Sequence, residues 1–590
     1  MFFPRTGRPV AAAAVGVLVA AGMVTVTTDT ASAAATTTIT VDYGSDRGAA
    51  TQIASGFLHG ISASSPAQYL VDGVRVRSQR GADHHPNLPS LHDPATYRRV
   101  SATGANLRVG LYYYSANPNS PYRNYRPGDN GNFSTWTTIV NGVMSEAEQK
   151  GYRVNAWIPW NEPEAQWGNL YTTTYFQAHK VAYDAVKARN SSYRVEAPEL
   201  SAYNFTKLQQ FLTYCRDNRC LPDVLSWHEL SPAPTDVPGH TAQIRSWMQA
   251  NGITPMPIAI TEYQGSSYGN ADAWAAGPNV RWLAQFERSV PNGLEDALAS
   301  DWDYIGGDGN FIATLGNSAD KATGTLPKGV WWNYNTYKTM TGRMVTVTSS
   351  SATTVDALGS LDTGQRRGVL LIGNQTTGDQ GVSLRLNNAS ALALSNVVHV
   401  RAERVANTPT LSTPTVVLDA DVPLSSGGVT LALGTLPTNA VYKVLVTPAT
   451  ASAPITRYET ESLSTAASPG LTSRVFTEAG ASGGAASALD GTAAGQYLQF
   501  TLPVSTSGVY QLRAILKSNT NRAFQALYVD GVMVGPPQDE YGNAAYYAAD
   551  YGTLSLSAGN HTLRAVAVGR NPASSGYSMV YDRFDLVRVG

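Results

Sequence analysis

The sequence predicts a multidomain protein in which a (β/α)8 TIM barrel is followed by two β-rich modules. Between residues 56 and 343, short apolar β-type runs alternate with helical patterns, which is typical of parallel βαβ units. From residue 344 onward, short β-type runs are separated by Gly, Asn, Asp and Ser turns, which favours antiparallel sheets. The 590 residues are enough for three or four domains of about 150 residues each.

The composition is poor in charge and rich in aromatic side chains. Charged residues are 14% of the chain, the formal net charge is −1, and there are 31 Tyr and 11 Trp. Because basic residues do not outnumber acidic ones, a nucleic-acid partner is not expected. The 43% of hydrophobic residues argue against a disordered chain. With 2 Cys the chain is not a disulfide scaffold.

Residues 1–33 have the pattern of a secretory signal peptide. Arg5 and Arg8 precede an uncharged apolar run over 9–24, and Ala31-Ser32-Ala33 is a cleavage site of small residues. The run is shorter than the roughly 20 residues of a membrane span, although an N-terminal membrane helix is the alternative. We therefore expect a secreted, extracellular protein with no membrane partner after cleavage. There, Cys215 and Cys220 could pair as a disulfide.

The segment 34–343 is assigned to the barrel. Eight strands are predicted at 56–61, 73–77, 106–112, 153–160, 193–197, 223–228, 257–262 and 296–301. Helical spacing of apolar residues predicts helices at 135–150, 171–189, 205–216, 241–250, 279–290 and 331–341. An accessory β-sandwich is expected over 344–447, a Pro-, Ala-, Thr- and Ser-rich linker over 448–454, and a second β-sandwich module over 455–590.

Two glutamates follow predicted barrel strands. Glu162, in Trp160-Asn161-Glu162-Pro163, ends the fourth strand, and Glu262, in Thr261-Glu262-Tyr263, ends the seventh. The carboxyl ends of barrel strands share the face on which active sites are built. Glycoside hydrolysis needs such a pair, because one carboxyl protonates the leaving oxygen and the other attacks or activates water.

These motifs resemble those of clan A retaining glycoside hydrolases. An Asn-Glu-Pro after the fourth strand and a Thr-Glu-aromatic after the seventh are similar to that clan, and the layout is most similar to glycoside hydrolase family 39. Trp331-Trp332-Asn333-Tyr334 and the sandwich after the barrel also resemble that family. The resemblance implies a double-displacement mechanism, with Glu162 as acid/base and Glu262 as nucleophile. Nothing in the sequence requires a cofactor for catalysis.

Several other residues near the strand ends are candidates for binding substrate. Asn161 is placed to hydrogen-bond a sugar 2-hydroxyl, and His228 to orient a carboxylate or bind a hydroxyl. Trp302, at the end of the eighth strand, is the candidate aromatic platform, with Trp160 and Tyr263 as similar candidates. The acid/base needs a raised pKa, and one cation is expected to keep the nucleophile ionised, the candidates being Arg77, Arg80 and Arg108.

The C-terminal module contains a candidate calcium site. Glu459 and Glu461 alternate on one strand and therefore share a face, and Asp585 on the last strand could join them as an oxygen ligand. The alternative is a solvated strand face. The arrangement resembles carbohydrate-binding modules of families 6 and 35, which are β-jelly-rolls with a structural Ca²⁺.

The sequence thus predicts a secreted retaining exo-glycosidase for pentose-containing side chains of a plant-type polysaccharide. The expected type is an α-L-arabinofuranosidase or a β-xylosidase. An endo-acting glycanase of the same clan and a non-catalytic polysaccharide-binding protein are the alternatives. The abundant Tyr and Trp suit a neutral, hydroxyl-covered ligand.

Overall fold

A computed structural model of the chain describes most of its length. The described residues are 36–58, 60–81, 91, 93–112, 120–230, 236–263, 275–299, 316–317, 326–327, 329–406, 413–449 and 453–590. The predicted signal peptide at 1–33, the centre of the predicted linker at 448–454, and Trp302 lie outside them.

Eight parallel strands form a barrel, as the sequence predicts. Strand β1 (Thr36–Asp42) precedes it, and the barrel strands are β2 (Gly56–Leu58), β3 (Ser78–Gly81), β4 (Asn106–Gly110), β5 (Ala156–Ile158), β6 (Glu196–Leu200), β7 (Val224–Glu229), β8 (Ile258–Tyr263) and β9 (Leu294–Ala299). Their spatial order is β5-β4-β3-β2-β9-β8-β7-β6. A parallel bridge between Trp157 and Val195 joins the two ends of this order and closes the barrel.

Helices connect the barrel strands. They are α1 (Gln68–Asp72), α2 (Pro94–Ser101), α3 (Ser134–Gln149), α4 (Pro163–Trp167), α5 (Phe176–Arg189), α6 (Phe205–Asp217), α7 (Val237–Ala250), α8 (Ala276–Ser289) and α9 (Gly329–Lys338). A π-helical turn at Tyr171–Tyr175 leads into α5. All six predicted helices are present, whereas α1, α2 and α4 are additional.

The second and fifth barrel strands lie further along the chain than predicted. They begin at Ser78 and Glu196, whereas the predicted runs were 73–77 and 193–197. Strand β3 reads Ser-Gln-Arg-Gly and is fully buried, and Ser78 and Arg80 hydrogen-bond other buried polar side chains. A strand with polar interior contacts has no apolar run by which to recognise it.

The region after the barrel forms a two-sheet sandwich. After the short pair β10 (Gly316–Asn317) and β11 (Leu326–Pro327), its strands are β12 (Arg343–Met344), β13 (Thr346–Ser349), β14 (Val355–Asp362), β15 (Arg367–Asn374), β16 (Gln380–Asn387), β17 (Val397–Val405), β18 (Thr415–Pro423), β19 (Val429–Leu436) and β20 (Val441–Pro448). One sheet has the order β12-β14-β15-β20-β17-β18 and the other β13-β1-β16-β19.

Strand β1 belongs to the sandwich, although the sequence assigned it to the barrel segment 34–343. It pairs antiparallel with β13 and parallel with β16. Ile39 and Val41 alternate with polar residues and are buried in the sandwich core. The chain therefore starts the sandwich, builds the barrel and then completes the sandwich.

The C-terminal module consists of two antiparallel sheets. Its strands are β21 (Ile455–Glu459), β22 (Thr465–Ala467), β23 (Arg474–Thr477), β24 (Ala485–Leu489), β25 (Tyr497–Val504), β26 (Gly508–Ser518), β27 (Phe524–Val529), β28 (Val532–Asp539), β29 (Ala545–Leu556), β30 (Gly559–Gly569) and β31 (Met579–Arg588). The sheets have the orders β23-β24-β31-β26-β29, with β21 on β31, and β22-β25-β30-β27-β28.

Both β-rich modules pack directly on the barrel. On the sandwich side, Arg288 of α8 forms a salt bridge of 2.6 Å with Asp356. On the side of the C-terminal module, the Tyr528 hydroxyl donates a 3.0 Å hydrogen bond to Asp72, and Phe524 packs edge-on against Tyr69. No helix among the described residues is both long enough and apolar enough to cross a membrane.

Gly277 tests the contact between α8 and the sandwich. Its amide donates a 2.7 Å hydrogen bond to the Asn439 carbonyl, and a Cβ at this position would lie 1.8 Å from the Asn374 carbonyl oxygen. We expect Gly277→Ala to lower the free energy of unfolding by about 1–3 kcal/mol, because the two backbones would have to separate. Thermal unfolding followed by circular dichroism measures the effect.

The matched control is Gly142→Ala in α3. A Cβ there meets nothing within 4 Å, so the better helix propensity of Ala should raise stability by up to about 1 kcal/mol. If both variants unfold at the wild-type temperature, the close packing of α8 on the sandwich is wrong.

Candidate active site

The structure brings Glu162 and Glu262 together at the carboxyl end of the barrel. Glu162 follows β5 and precedes α4 with a left-handed φ of 48°, and Glu262 lies in β8. A carboxylate oxygen of each and a ring nitrogen of His228 all lie within 4.8 Å of one another. A left-handed φ is uncommon for a non-glycine residue and often marks functional sites.

Arg80, on β3, is the cation that contacts Glu262. Its Nη1 donates to Glu262 Oε1 at 3.0 Å and lies 3.1 Å from Glu199 Oε2. Its Nη2 donates to Asn161 Oδ1 at 2.6 Å and to the Tyr112 hydroxyl at 2.8 Å. A single buried guanidinium thus holds groups from four strand ends.

The other two candidate arginines serve a second cluster within the barrel. Arg108 donates to Asp296 at 2.8 Å and also pairs with Glu196, and Arg77 lies 3.3 Å from Asp296. Neither is seen to contact Glu262 among the described residues. The choice that the sequence left open among Arg77, Arg80 and Arg108 therefore falls on Arg80.

His228 is the penultimate residue of β7 and lies between the carboxylates with no exposed surface. Its Nδ1 is 3.2 Å from Glu162 Oε1, and its Nε2 is 3.5 Å from Glu199 Oε2 and 3.7 Å from Glu262 Oε1. These contacts place His228 against carboxylates rather than in the path of a sugar hydroxyl.

Glu199 is a site residue that the sequence reasoning missed. It is fully buried in β6, where its Oε2 accepts from the Thr261 hydroxyl at 2.9 Å and faces both Arg80 and His228. Its carbonyl accepts a 2.9 Å hydrogen bond from the Glu162 amide. The predicted fifth strand stopped at residue 197, two residues short, so Glu199 was not recognised as a strand-end acid.

The pKa values follow from this shared cluster. Although burial opposes the imidazolium, the carboxylates of Glu262, Glu162 and Glu199 raise the pKa of His228 to about 10. Burial raises the pKa of Glu262, and His228 and Arg80 offset this only in part. For Glu199, Arg80 and His228 outweigh burial and lower the pKa of the carboxyl.

The pKa of Glu162 is lowered, which is opposite to the expectation for an acid/base residue. The cause is its hydrogen bond to His228, which exceeds the effect of burial. The Glu162 side chain is also the more exposed of the pair, at 27% against 6% for Glu262. Without substrate, a proton is therefore held more readily by Glu262 than by Glu162.

The remaining predicted substrate contacts divide into two groups. Asn161 is partly exposed beside the pair, and its Oδ1 accepts from Arg80, which leaves the amide nitrogen as a donor. Tyr263 is fully buried with its hydroxyl bound to the Ala54 carbonyl and Tyr334, so it is a core residue. Trp160 is 7% exposed and packs against Trp136 and Trp167, so it too supports the site from behind.

The acidic cluster of the C-terminal module differs from the prediction in two ways. Strand β21 ends at Glu459, so Glu461 lies in the 3-10 turn that follows rather than beside Glu459 on one strand face. Arg583 contacts both aspartates, Asp585 at 3.1 Å and Asp582 at 3.7 Å, but it is Asp582 that faces Glu459 and Glu461. Burial, together with the charges of these two glutamates, raises the pKa of Asp582 to about 6. One buried carboxylate oxygen of Glu459 and one of Glu461 have no hydrogen-bond partner. The calcium site therefore stays a prediction, with Asp582 as the third candidate acid in place of Asp585.

Cys215 and Cys220 are both buried, and their thiols are free in the structure, so the predicted disulfide is not formed. The two cysteines nevertheless lie close together at the end of α6, where the Cys220 amide donates a 2.8 Å hydrogen bond to the Cys215 carbonyl.

Exchange of Asp582 tests the calcium assignment. We expect Ca²⁺ to raise the unfolding temperature of the wild-type chain in calorimetry, because the ion would neutralise three acids that repel one another. Asp582→Asn should abolish this rise, whereas Asp585→Asn should retain it. If the rise in unfolding temperature is lost only in Asp585→Asn, Asp585 is the ligand, as the sequence predicted. If Ca²⁺ does not raise the unfolding temperature of the wild type, the predicted calcium site is wrong.

Comparison with known proteins finds relatives in sequence and in fold. No known protein-family profile matches the chain. Over 508 residues the chain is 24% identical to the 3-O-alpha-D-galactosyl-alpha-L-arabinofuranosidase of Bifidobacterium longum subsp. longum. The match includes 74% of this chain and 43% of that protein, so the chain spans less than half the length of this curated relative.

Two solved structures have a similar fold. N2152 of Neocallimastix frontalis matches with a TM-score of 0.61 and 23% identity, over 70% of this chain and 100% of that one. The glycoside hydrolase family 39 enzyme of Xanthomonas axonopodis pv. citri matches with a TM-score of 0.50 and 14% identity, over 71% and 98%. The chain therefore has a fold similar to that of family 39 glycoside hydrolases.

Proposed function

We propose that the chain is a retaining glycoside hydrolase that acts on α-L-arabinofuranosyl or similar pentose ends of plant-type polysaccharide side chains. The observation that carries the proposal is the close approach of Glu162 and Glu262, since one carboxylate oxygen of each lies within 4.8 Å of the other, which favours the closer of the two carboxyl separations found in glycosidases. Retaining enzymes hold the two carboxyls about 5–5.5 Å apart, whereas inverting enzymes need about 6.5–9.5 Å to admit a water. The curated relative's arabinofuranosidase activity supports the pentose assignment.

In the first step, Glu262 attacks the anomeric carbon while the bond to the leaving oxygen breaks. Arg80, 3.0 Å away, stabilises the carboxylate that this attack requires. Glu162 gives its proton to the leaving oxygen, and a covalent glycosyl ester with Glu262 results. Because Glu162 is the more exposed carboxyl, substrate that covers it removes its water and favours the protonated form that this step needs.

In the second step, Glu162 acts as a base. It takes a proton from a water molecule whose oxygen attacks the anomeric carbon, and the bond to Glu262 breaks, so the sugar leaves with its original configuration. Asn161 supports both steps, since Arg80 fixes its Oδ1 and thereby directs its amide nitrogen as a donor toward a sugar hydroxyl.

The wider setting is part of the same proposal. Residues 1–33 would direct secretion, and the C-terminal module would bind polysaccharide in the manner of carbohydrate-binding modules, with a structural Ca²⁺ at Glu459, Glu461 and Asp582. The unpartnered acidic oxygens and the sparse surface charge support this setting.

Glutamine variants separate the roles of the two glutamates. Glu262→Gln should reduce hydrolysis of 4-nitrophenyl α-L-arabinofuranoside by at least about 10⁴-fold, because no nucleophile remains. Glu162→Gln should slow release of a poor leaving group by about 10²–10⁴-fold, while formation of the glycosyl ester from the 4-nitrophenyl substrate should change less, since 4-nitrophenolate leaves without a proton. Initial rates and single-turnover bursts measure both.

Glu229→Gln is the matched control. Glu229 is a buried acid on the same strand as His228 but hydrogen-bonds Trp227 and His240 instead of Glu162 or Glu262, so Glu229→Gln should keep the wild-type rate.

Proton NMR should show the α-anomer as the first product. Wild-type rates in both Glu162→Gln and Glu262→Gln, or a first product of inverted configuration, would contradict the mechanism. A parallel assay with an aryl β-xyloside tests for β-xylosidase activity, and one with a polymeric arabinan tests for endo-acting hydrolysis.

Glu199 should set the pH range of activity. Its negative charge raises the pKa values of His228, Glu262 and Glu162. We expect Glu199→Gln to move both limbs of the pH profile of kcat/KM to lower pH, because each group loses a neighbouring anion. The fall in rate should be smaller than in Glu262→Gln. An unshifted profile with only a lower rate would mean that Glu199 merely supports the fold.

A further inference from the structure

A cavity of about 410 Å³ lies where the barrel, the sandwich and the C-terminal module meet. The barrel contributes the end of α9, the sandwich contributes β15, β17 and β20, and the module contributes β28 and β29. Arg80, Glu162 and Glu262 are not among its lining residues. The volume is within the range of small-molecule sites, which often form between domains.

The sandwich wall of the cavity is the outer face of one sheet. Side chains at alternate positions of β15, β17 and β20 point into the sandwich core, among them Leu370, Val400 and Val444. The intervening positions face the cavity and include Arg367, Arg401, Glu403, Lys443 and Leu445.

The cavity is lined by more basic than acidic side chains. The basic side chains are Lys338, Arg367, Arg401 and Lys443, whereas the acidic ones are Glu403 and Asp550. Glu403 already accepts from Arg401 at 2.9 Å and from Lys443 at 3.0 Å.

Arg367 is the least satisfied of these cations. Its Nη1 donates to the Thr553 carbonyl at 3.1 Å and its Nη2 to the Thr341 hydroxyl at 3.0 Å, so both of these hydrogen-bond acceptors are neutral. Its Nε is buried without a partner, as is the Thr553 hydroxyl beside it. Burial lowers the pKa of Arg367, and the charge of Asp362, its neighbour across the β14–β15 pair, offsets this only in part. Such a group favours an incoming carboxylate.

The rest of the lining suits a hydroxylated ring. Gln365, Thr339 and Ser555 supply neutral donors and acceptors, and Val369, Leu445 and Met533 supply an apolar surface. Ser555 is exposed, so the cavity opens to solvent on the side of β29. The two acids can accept hydroxyl hydrogen bonds but oppose a doubly charged phosphate, so a single carboxylate fits better.

We propose that this cavity binds a sugar acid, namely a hexuronate unit, whose carboxylate pairs with Arg367. The site is separate from the pair of catalytic glutamates and does not depend on the proposed hydrolytic activity. Because all three domains contribute to it, an occupied cavity also stabilises their mutual arrangement.

Titration calorimetry on the full-length chain tests the proposal. D-glucuronate and D-galacturonate are the probes, and D-glucose, D-galactose, glucose 6-phosphate and inorganic phosphate are the comparisons. We expect one hexuronate to bind per chain, with the neutral sugars and phosphate binding at least about tenfold more weakly. Arg367→Gln should weaken hexuronate binding by about 10–100-fold, as expected for the loss of a hydrogen bond to a charged group.

Val534→Trp provides a second variant that leaves every charge in place. Val534 lines the cavity, and an indole there should fill it and weaken hexuronate binding without removing the bonds of Arg367. Both variants should hydrolyse the aryl arabinofuranoside at the wild-type rate. The proposal is overturned if hexuronate does not bind, or if phosphate or neutral sugars bind equally well. It is also overturned if hexuronate still binds both Arg367→Gln and Val534→Trp and inhibits their hydrolysis of the aryl arabinofuranoside, because hexuronate would then occupy the active site.

Discussion

The candidate active site depends on one buried charge, the guanidinium of Arg80. Its two terminal nitrogens contact Glu262, Glu199, Asn161 and the Tyr112 hydroxyl, which come from four different strand ends. A buried cation is stable only when such partners surround it. The same requirement fixes the positions of the groups that the proposed reaction uses, so the electrostatic stability of the site and its geometry have a common origin. His228 is the second cation of this arrangement, and it links Glu162 to the two more deeply buried glutamates.

Much of this arrangement could be predicted from the sequence, and the limits have physical causes. Glu162 and Glu262 were recognisable because each follows an apolar strand and lies in a distinctive motif. The strand that carries Arg80 was displaced in the prediction because its polar residues satisfy one another inside the barrel and leave no hydrophobic pattern. Glu199 was missed for a related reason, since an error of a few residues in a strand boundary is enough to hide a strand-end acid. The aromatic residues Trp160 and Tyr263 show the converse limit, because motif position alone does not tell a sugar contact from a core residue.

The acids of the C-terminal module illustrate how register decides a site. Strand β21 pairs antiparallel with β31, with Glu459 opposite Arg583. Asp582 and Asp585 lie on either side of that arginine, which contacts both, and only the folded structure shows that Asp582 faces Glu459 and Glu461. Strand periodicity could not define this cluster, because Glu461 lies in the turn after β21 and the partner strand is more than a hundred residues away in the sequence. In the same way, the cavity at the junction of the three domains combines residues whose proximity no local pattern reveals.

The placement of β1 in the sandwich has a consequence for how the chain reaches its native state. Ile39 pairs with Ser349 and Leu384, so the barrel is a long insertion between the first strand of the sandwich and the rest of that sheet. At about 5–20 residues per second, a ribosome needs roughly 15–60 s to extend the chain from one partner to the other. During that interval β1 is an unpaired apolar strand with no sheet to join. Cutting the chain between barrel and sandwich near residue 343 would therefore separate a sheet from one of its own central strands.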